Sequence, residues 1–98
     1  MCKKDENILQ IIDSVRNRFK ILLDNPKLEI SFFDYIYSFD IILVEIKYLI
    51  SYSQPINITV IEKFNNKMTG VFRTFEGQPL EDLLYNLSDE LRKRYKEA

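Results

Sequence analysis

The chain of 98 residues has no histidine and no tryptophan, and it has one cysteine, two glycines and three prolines. Without histidine, and with a single thiol at Cys2, neither a tetrahedral zinc site nor a Ser/His or Cys/His nucleophile pair can be built. One cysteine also excludes a disulfide within the chain. The two glycines, Gly70 and Gly77, stand apart, so there is no glycine-rich phosphate-binding loop. We therefore expect no enzyme activity, no cofactor and no metal.

Charge and hydrophobic content place the chain among small globular domains. It has 46% hydrophobic and 30% charged residues with a net charge of −1, so bulk charge does not favour non-specific nucleic-acid binding. We expect a single domain over residues 1–98. The first four residues lead into Asp5 and Glu6 rather than into an apolar run. We therefore expect a cytoplasmic protein without a signal peptide or a membrane span.

Residues 30–52 are the most apolar and aromatic stretch of the chain. On a helix that turns about 100° per residue, one broad arc forms a predicted core face: Phe32, Tyr35, Ile36, Phe39, Ile42, Leu43, Ile46, Leu49 and Ile50. A second apolar line, which we call the outer strip, lies on the opposite side: Phe33, Tyr37, Ile41, Val44 and Tyr48. The pattern predicts one long central helix with two apolar faces.

Two interpretations of the outer strip stay open. In the first, the rest of the chain covers both faces of the central helix. In the second, the strip is exposed and binds a second subunit or another protein, a role that suits tyrosine rings because their hydroxyls tolerate water. Asp40 and Lys47 would then flank the contact, and we expect them to pair across a homodimer interface. Residues 42–48 also alternate as a strand would, so a β interpretation of this part remains possible.

Helical periodicity is clear at both ends of the chain. Apolar residues recur on one face of residues 5–23, and Asp5 and Glu6 lie in the first turn, where the helix dipole favours carboxylates. Pro79 opens a last helix, and its leucines, Leu87 among them, form a single stripe.

Residues 56–75 fit two templates. Ile56, Ile58 and Val60 alternate as in a strand, and the asparagines at 65 and 66 would suit a hairpin turn. Against this, Asn57 is a suitable N-cap for a helix. The apolar residues that follow share one helical arc: Val60, Ile61, Phe64, Met68, Val71, Phe72 and Phe75.

We therefore predict an all-α fold, an up-down antiparallel four-helix bundle joined by short polar breaks. The alternative is an α+β fold, with a β-hairpin or meander over residues 56–75 between helices. The predicted bundle is similar in architecture to the small helical bacteriocin immunity proteins. That resemblance is one of fold alone, and a fold does not determine a function.

In such a bundle the start of the first helix and the end of the last share one pole. They would form a basic pole: Lys3, Lys4, Arg92, Lys93, Arg94 and Lys96. Our leading hypothesis is a helical protein–protein interaction module, such as a small inhibitor, immunity or antitoxin-like factor. It would be a homodimer or bind another protein through the outer strip. The alternative is a small nucleic-acid-binding regulator that uses the basic pole, which the net charge does not favour.

Overall fold

A computed structural model describes residues 3–97 of the chain, with side chains as far as Arg94. All regular secondary structure within that range is helical, with no strand. The helices are α1 (Lys3–Leu23), α2 (Ile30–Ser51), α3 (Ile58–Met68), α4 (Val71–Phe75) and α5 (Pro79–Glu97). The all-α prediction is confirmed. The β interpretation of residues 42–48 and the hairpin alternative for residues 56–75 are wrong.

Local sequence signals determine where α2 ends and α3 begins. The amides of Ser53 and Gln54 donate to the carbonyl oxygens of Ile50 and Leu49 at 3.1 and 2.7 Å, which is a Schellman motif. Ser53 takes the left-handed backbone conformation that this motif requires, with φ 55°. Asn57 then caps α3, because its Oδ1 accepts a backbone amide of the first turn at 3.0 Å. Both signals lie in the polar break that the sequence predicts between the second and third helices.

The predicted third helix is interrupted after Thr69, so it forms two helices, α3 and α4. The hydroxyl of Tyr35 on α2 donates to the Lys67 carbonyl oxygen in the last turn of α3. The same ring lies against Gly70, where a Cβ would come within 3.1 Å of the tyrosine oxygen. Tyr35 therefore fits at the break because Gly70 has no side chain. Beyond the break Phe72 is 58% exposed, so its predicted place on the core arc is wrong.

Helix α1 is in contact with both α2 and α5, while α3 packs against α2 and α4 against α5. Every buried side chain among the described residues is apolar. Six residues of the predicted core face of α2 are buried: Ile36, Phe39, Ile42, Leu43, Ile46 and Ile50. Tyr35 and Leu49 are half-buried, in contact with this core. Phe32 is exposed, since it lies at the first turn of α2, at the end of the core.

Four fully buried phenylalanines connect the first four helices at one place. Phe19 of α1 lies 5.4 Å from Phe39 of α2 and 6.1 Å from Phe75 of α4, measured between ring centroids. Phe39 also lies 5.9 Å from Phe64 of α3 and 5.9 Å from the ring of Tyr35. Aromatic pairs of this kind contribute about 0.5–1.5 kcal/mol each beyond the area they bury. The cluster fixes the rotation of α2 and so turns the outer strip away from the core.

Leu87 tests whether the stripe of α5 is core. The side chain has no exposed surface (0%), so Leu87→Ala removes buried methyl groups and leaves a cavity. We expect the free energy of unfolding to fall by about 2–5 kcal/mol, measured by urea denaturation. The matched control is Tyr85→Ala on the exposed side of the same helix, which we expect to cost less than about 1 kcal/mol. Equal effects of the two substitutions would contradict the assignment of Leu87 to the core.

Tyr35 predicts a loss of stability in alkaline solution. Burial raises the pKa of Tyr35 from 10.0 to about 12, so the folded protein favours the protonated phenol. The stability that the protonated Tyr35 phenol gives the folded protein is fully present below pH 10 and is lost as the pH rises from 10 towards about 12. We expect Tyr35→Phe to lower stability by about 1 kcal/mol at neutral pH, because the hydrogen bond to Lys67 is lost.

The measurement is the difference in unfolding free energy between wild type and Tyr35→Phe at several pH values, with Tyr85→Phe as the surface control. The wild type should lose its advantage over Tyr35→Phe as the pH rises through this window. A difference that stays constant up to pH 12 would contradict the role of the buried hydroxyl.

Candidate protein interaction surface

The outer strip lies on the side of α2 that faces away from the core. All five side chains are exposed, with fractions between 40% for Phe33 and 60% for Tyr48. They are exposed because α1 and α3, the helices that pack most closely against α2, cover its other side. No described part of the chain covers the strip, so the interpretation that the chain buries both faces of α2 is wrong.

An aromatic pair lies at each end of the strip, one stacked and one tilted. Phe33 and Tyr37 lie with ring centroids 5.9 Å apart and an interplanar angle of 8°. Tyr48 pairs with Tyr52, whose centroid is 4.5 Å away and whose side chain is 63% exposed. Tyr52 was not among the predicted surface residues. It follows Tyr48 by one helical turn, so the same spacing that defines the strip could have found it.

The strip is large for a monomer. With aromatic side chains taken at about 200 Å² each, the exposed surface of the five residues and Tyr52, including the tyrosine hydroxyls, is about 600 Å². The largest apolar patch on a typical monomeric protein is about 300–600 Å², and larger patches mark interaction sites. The surface therefore lies at the upper limit for a protein that has no partner there.

One edge of the strip is tied to α1 by ion pairs. Arg16 Nε donates to Asp40 Oδ1 at 2.9 Å, and Lys47 Nζ donates to Asp13 Oδ1 at 2.7 Å. Asp40 and Lys47, predicted to pair across a dimer contact, thus have partners within the protomer. All four groups are partly exposed, so each pair stabilises by no more than about 1 kcal/mol.

The other edge of the strip is polar and acidic. Asp34 and Glu45 are both exposed there, and none of the ion pairs among the described residues uses them. Ser38 lies between them and donates to the Tyr35 carbonyl oxygen at 3.0 Å. An apolar centre between polar edges is the usual arrangement of a protein–protein contact.

The basic pole is a surface of mixed charge. Arg94 Nε lies 2.8 Å from Asp5 Oδ1, and this pair joins the end of α5 to the start of α1. Arg92 and Lys93 each have an acidic neighbour on α5, at 4.0 and 3.6 Å. Lys3 and Lys4 are exposed at the start of α1. The side chain of Lys96 lies outside the described residues.

This distribution does not concentrate positive charge in one place. The shallow depression at the start of α1 is lined by acids as well as lysines: Lys3, Lys4, Glu6, Asn7, Gln10 and Glu90. A phosphate backbone would meet carboxylates there, which lowers the electrostatic gain on which non-specific binding depends.

A second concave surface lies between α3 and α5. It is a cleft of about 190 Å³ lined by Ile61, Phe64, Asn65, Ser88, Leu91 and Arg92. It has no pair of titratable groups that could transfer a proton or attack a substrate. Among the described residues there is also no group of three side chains that could hold a metal ion. No helix in residues 3–97 has the length and apolarity to cross a bilayer.

Comparison with known proteins adds no family to this description. No family model, no curated protein and no solved structure matches the chain.

Proposed function

We propose that the protein is a non-enzymatic, helical protein–protein interaction module that acts as a homodimer through the outer strip of α2. The exposure of this strip is the observation that carries the proposal. Five large apolar side chains, extended by Tyr52, lie together on one helix face that the described chain leaves uncovered. Small inhibitors, immunity proteins and antitoxin-like factors are the class of protein to which such a module would belong.

We propose that the helices form an up-down antiparallel bundle, in which α3 and α4 together are the third of four helices. Ion pairs between helices support it. Asp13 meets Lys47 and Arg16 meets Asp40, so residue numbers rise along α1 as they fall along α2. Asp5 meets Arg94 in the same sense between α1 and α5. We propose the cytoplasm as the location, since one cysteine suits a reducing compartment.

A second copy is the partner that the area of the surface favours. If two copies cover their strips, they remove about 1,200 Å² from water, which is the lower limit of specific, stable interfaces. The strip itself carries no charge, so a copy can lie on it without burying an unpaired ion. The nucleic-acid alternative lacks comparable support, because the arginines at the basic pole are paired with carboxylates.

The test is a double substitution at the centre of the strip. Tyr37→Glu with Val44→Glu places two carboxylates in the proposed contact, where burial would leave them unpaired. We expect wild type to sediment as a dimer at micromolar concentration and the double variant as a monomer with unchanged helical circular dichroism. The double substitution should weaken self-association at least about a hundredfold, since buried unpaired charges cost several kcal/mol.

The matched control places the same charges elsewhere. Ile21→Glu with Phe72→Glu replaces two apolar side chains that are exposed, 70% and 58%, but lie on α1 and α4, outside the strip. This variant should remain a dimer. A wild-type protein that is monomeric at every concentration would contradict the proposal, as would equal dissociation of both double variants. Unfolding of the strip variant alone would show that the strip is structural.

A further inference from the structure

We infer that the partner copy lies antiparallel to α2, related by a two-fold axis that passes between Ile42 and Leu43. This inference rests on the proposed self-association and specifies its geometry. It follows from a symmetry in the strip, from the length of the strip and from the charges on its two edges.

With Tyr52 added, the outer strip has the same order of residue types in both directions along the helix. The midpoint between Ile42 and Leu43 lies halfway between Ile41 and Val44, halfway between Tyr37 and Tyr48, and halfway between Phe33 and Tyr52. The two directions therefore give the same order: a branched aliphatic residue, then a tyrosine, then a second aromatic ring. In an antiparallel pair, residues at equal distances from the two-fold axis lie at the same height.

The consequence is a set of matched layers. Ile41 lies beside the second copy's Val44 at the centre, and Tyr37 lies beside the second copy's Tyr48 one turn further out. The stacked pair of Phe33 and Tyr37 then meets the tilted pair of Tyr48 and Tyr52. A strip without this symmetry would leave one aromatic pair without an apolar neighbour in an antiparallel arrangement.

The length of the strip determines how the helices cross. Phe33 and Tyr52 are separated by roughly 28 Å along the axis, at 1.5 Å per residue. Helices that cross near −50° separate within a few turns, whereas a crossing near 20° keeps such a length in contact. The spacing of four, three and four residues from Tyr37 to Tyr48 is also that of a coiled-coil seam. A shallow crossing therefore follows.

The charged edge supports the antiparallel direction. A two-fold axis across antiparallel helices places like edges side by side, so the edge with Asp40 and Lys47 meets its own copy. Asp40 then lies within about one turn of the second copy's Lys47. Since Arg16 already binds Asp40 and Asp13 already binds Lys47, the four groups alternate in sign: Arg16, Asp40, the second copy's Lys47 and its Asp13.

The opposite edge is compatible with the same direction. Asp34 lies beside the hydroxyl of the second copy's Tyr52, which is a donor within its reach. Glu45 lies at the exposed edge beside the second copy's Ser38, whose hydroxyl already donates to a backbone carbonyl oxygen. In a parallel pair the two edges change places, and Asp40 no longer lies near Lys47. Parallel helices would also align their dipoles, which is unfavourable.

Two spin labels on the acidic edge distinguish the directions without altering the strip. The chain is labelled at Asp34→Cys or at Glu45→Cys, in each case with Cys2→Ser, and the distance between the two copies is measured by electron spin resonance. In the antiparallel pair the Asp34 labels are roughly 25 Å apart along the axis and the Glu45 labels roughly 8 Å apart. In a parallel pair both labels lie level with their copies and give similar distances.

The long distance at Asp34 with the short one at Glu45 supports the inference. Similar distances, or a short distance at Asp34, overturn the antiparallel register but leave the proposed dimer standing. The labelled chains are also sedimented, and Tyr37→Glu with Val44→Glu must abolish both distances. Sedimentation as a monomer with no distance between copies would refute the proposed function itself, and the register with it.

Discussion

The contact between Phe39 and the rings of Phe19 and Phe64 is the interaction on which the rest of the structure depends. It joins three helices at one point and holds α2 in one rotation about its axis. The two faces of a helix have a fixed orientation relative to each other. Burial of Phe39 therefore determines which side chains of α2 are exposed on the opposite face. The core and the outer strip are therefore two results of the same packing. A rotation of α2 that buried the strip would also remove the core face from the core.

Most of this could be predicted from the sequence, because the deciding patterns are local. The apolar period of residues 30–52 predicts both faces of α2, and Asn57 and Pro79 mark helix starts through the chemistry of their own first turns. The break between α3 and α4 could not be predicted in this way. It depends on Tyr35, which is distant in sequence and fills the space that Gly70 leaves, so the periodicity of residues 60–75 alone placed Phe72 in the core incorrectly.

Exposure of the strip was one of the two interpretations that the sequence left open, whereas the partners of its edges were not predicted. Two apolar faces on one helix need cover on both sides, and the chain has too few other helices to supply it. The partners of Asp40 and Lys47 depend on how α1 lies against α2, which periodicity does not determine. Their pairing with Arg16 and Asp13 is a property of the tertiary packing.

These ion pairs also make the edge of the strip a surface of fixed charge. A lysine or aspartate free to move would lose side-chain entropy when a partner arrives, at a cost close to what an exposed pair contributes. Arg16 and Asp13 already restrict Asp40 and Lys47 in the protomer, so less freedom remains to be lost on association. Packing of α1 against α2 thus forms part of the core. It also fixes the charged side chains at one edge of the outer strip before a partner binds.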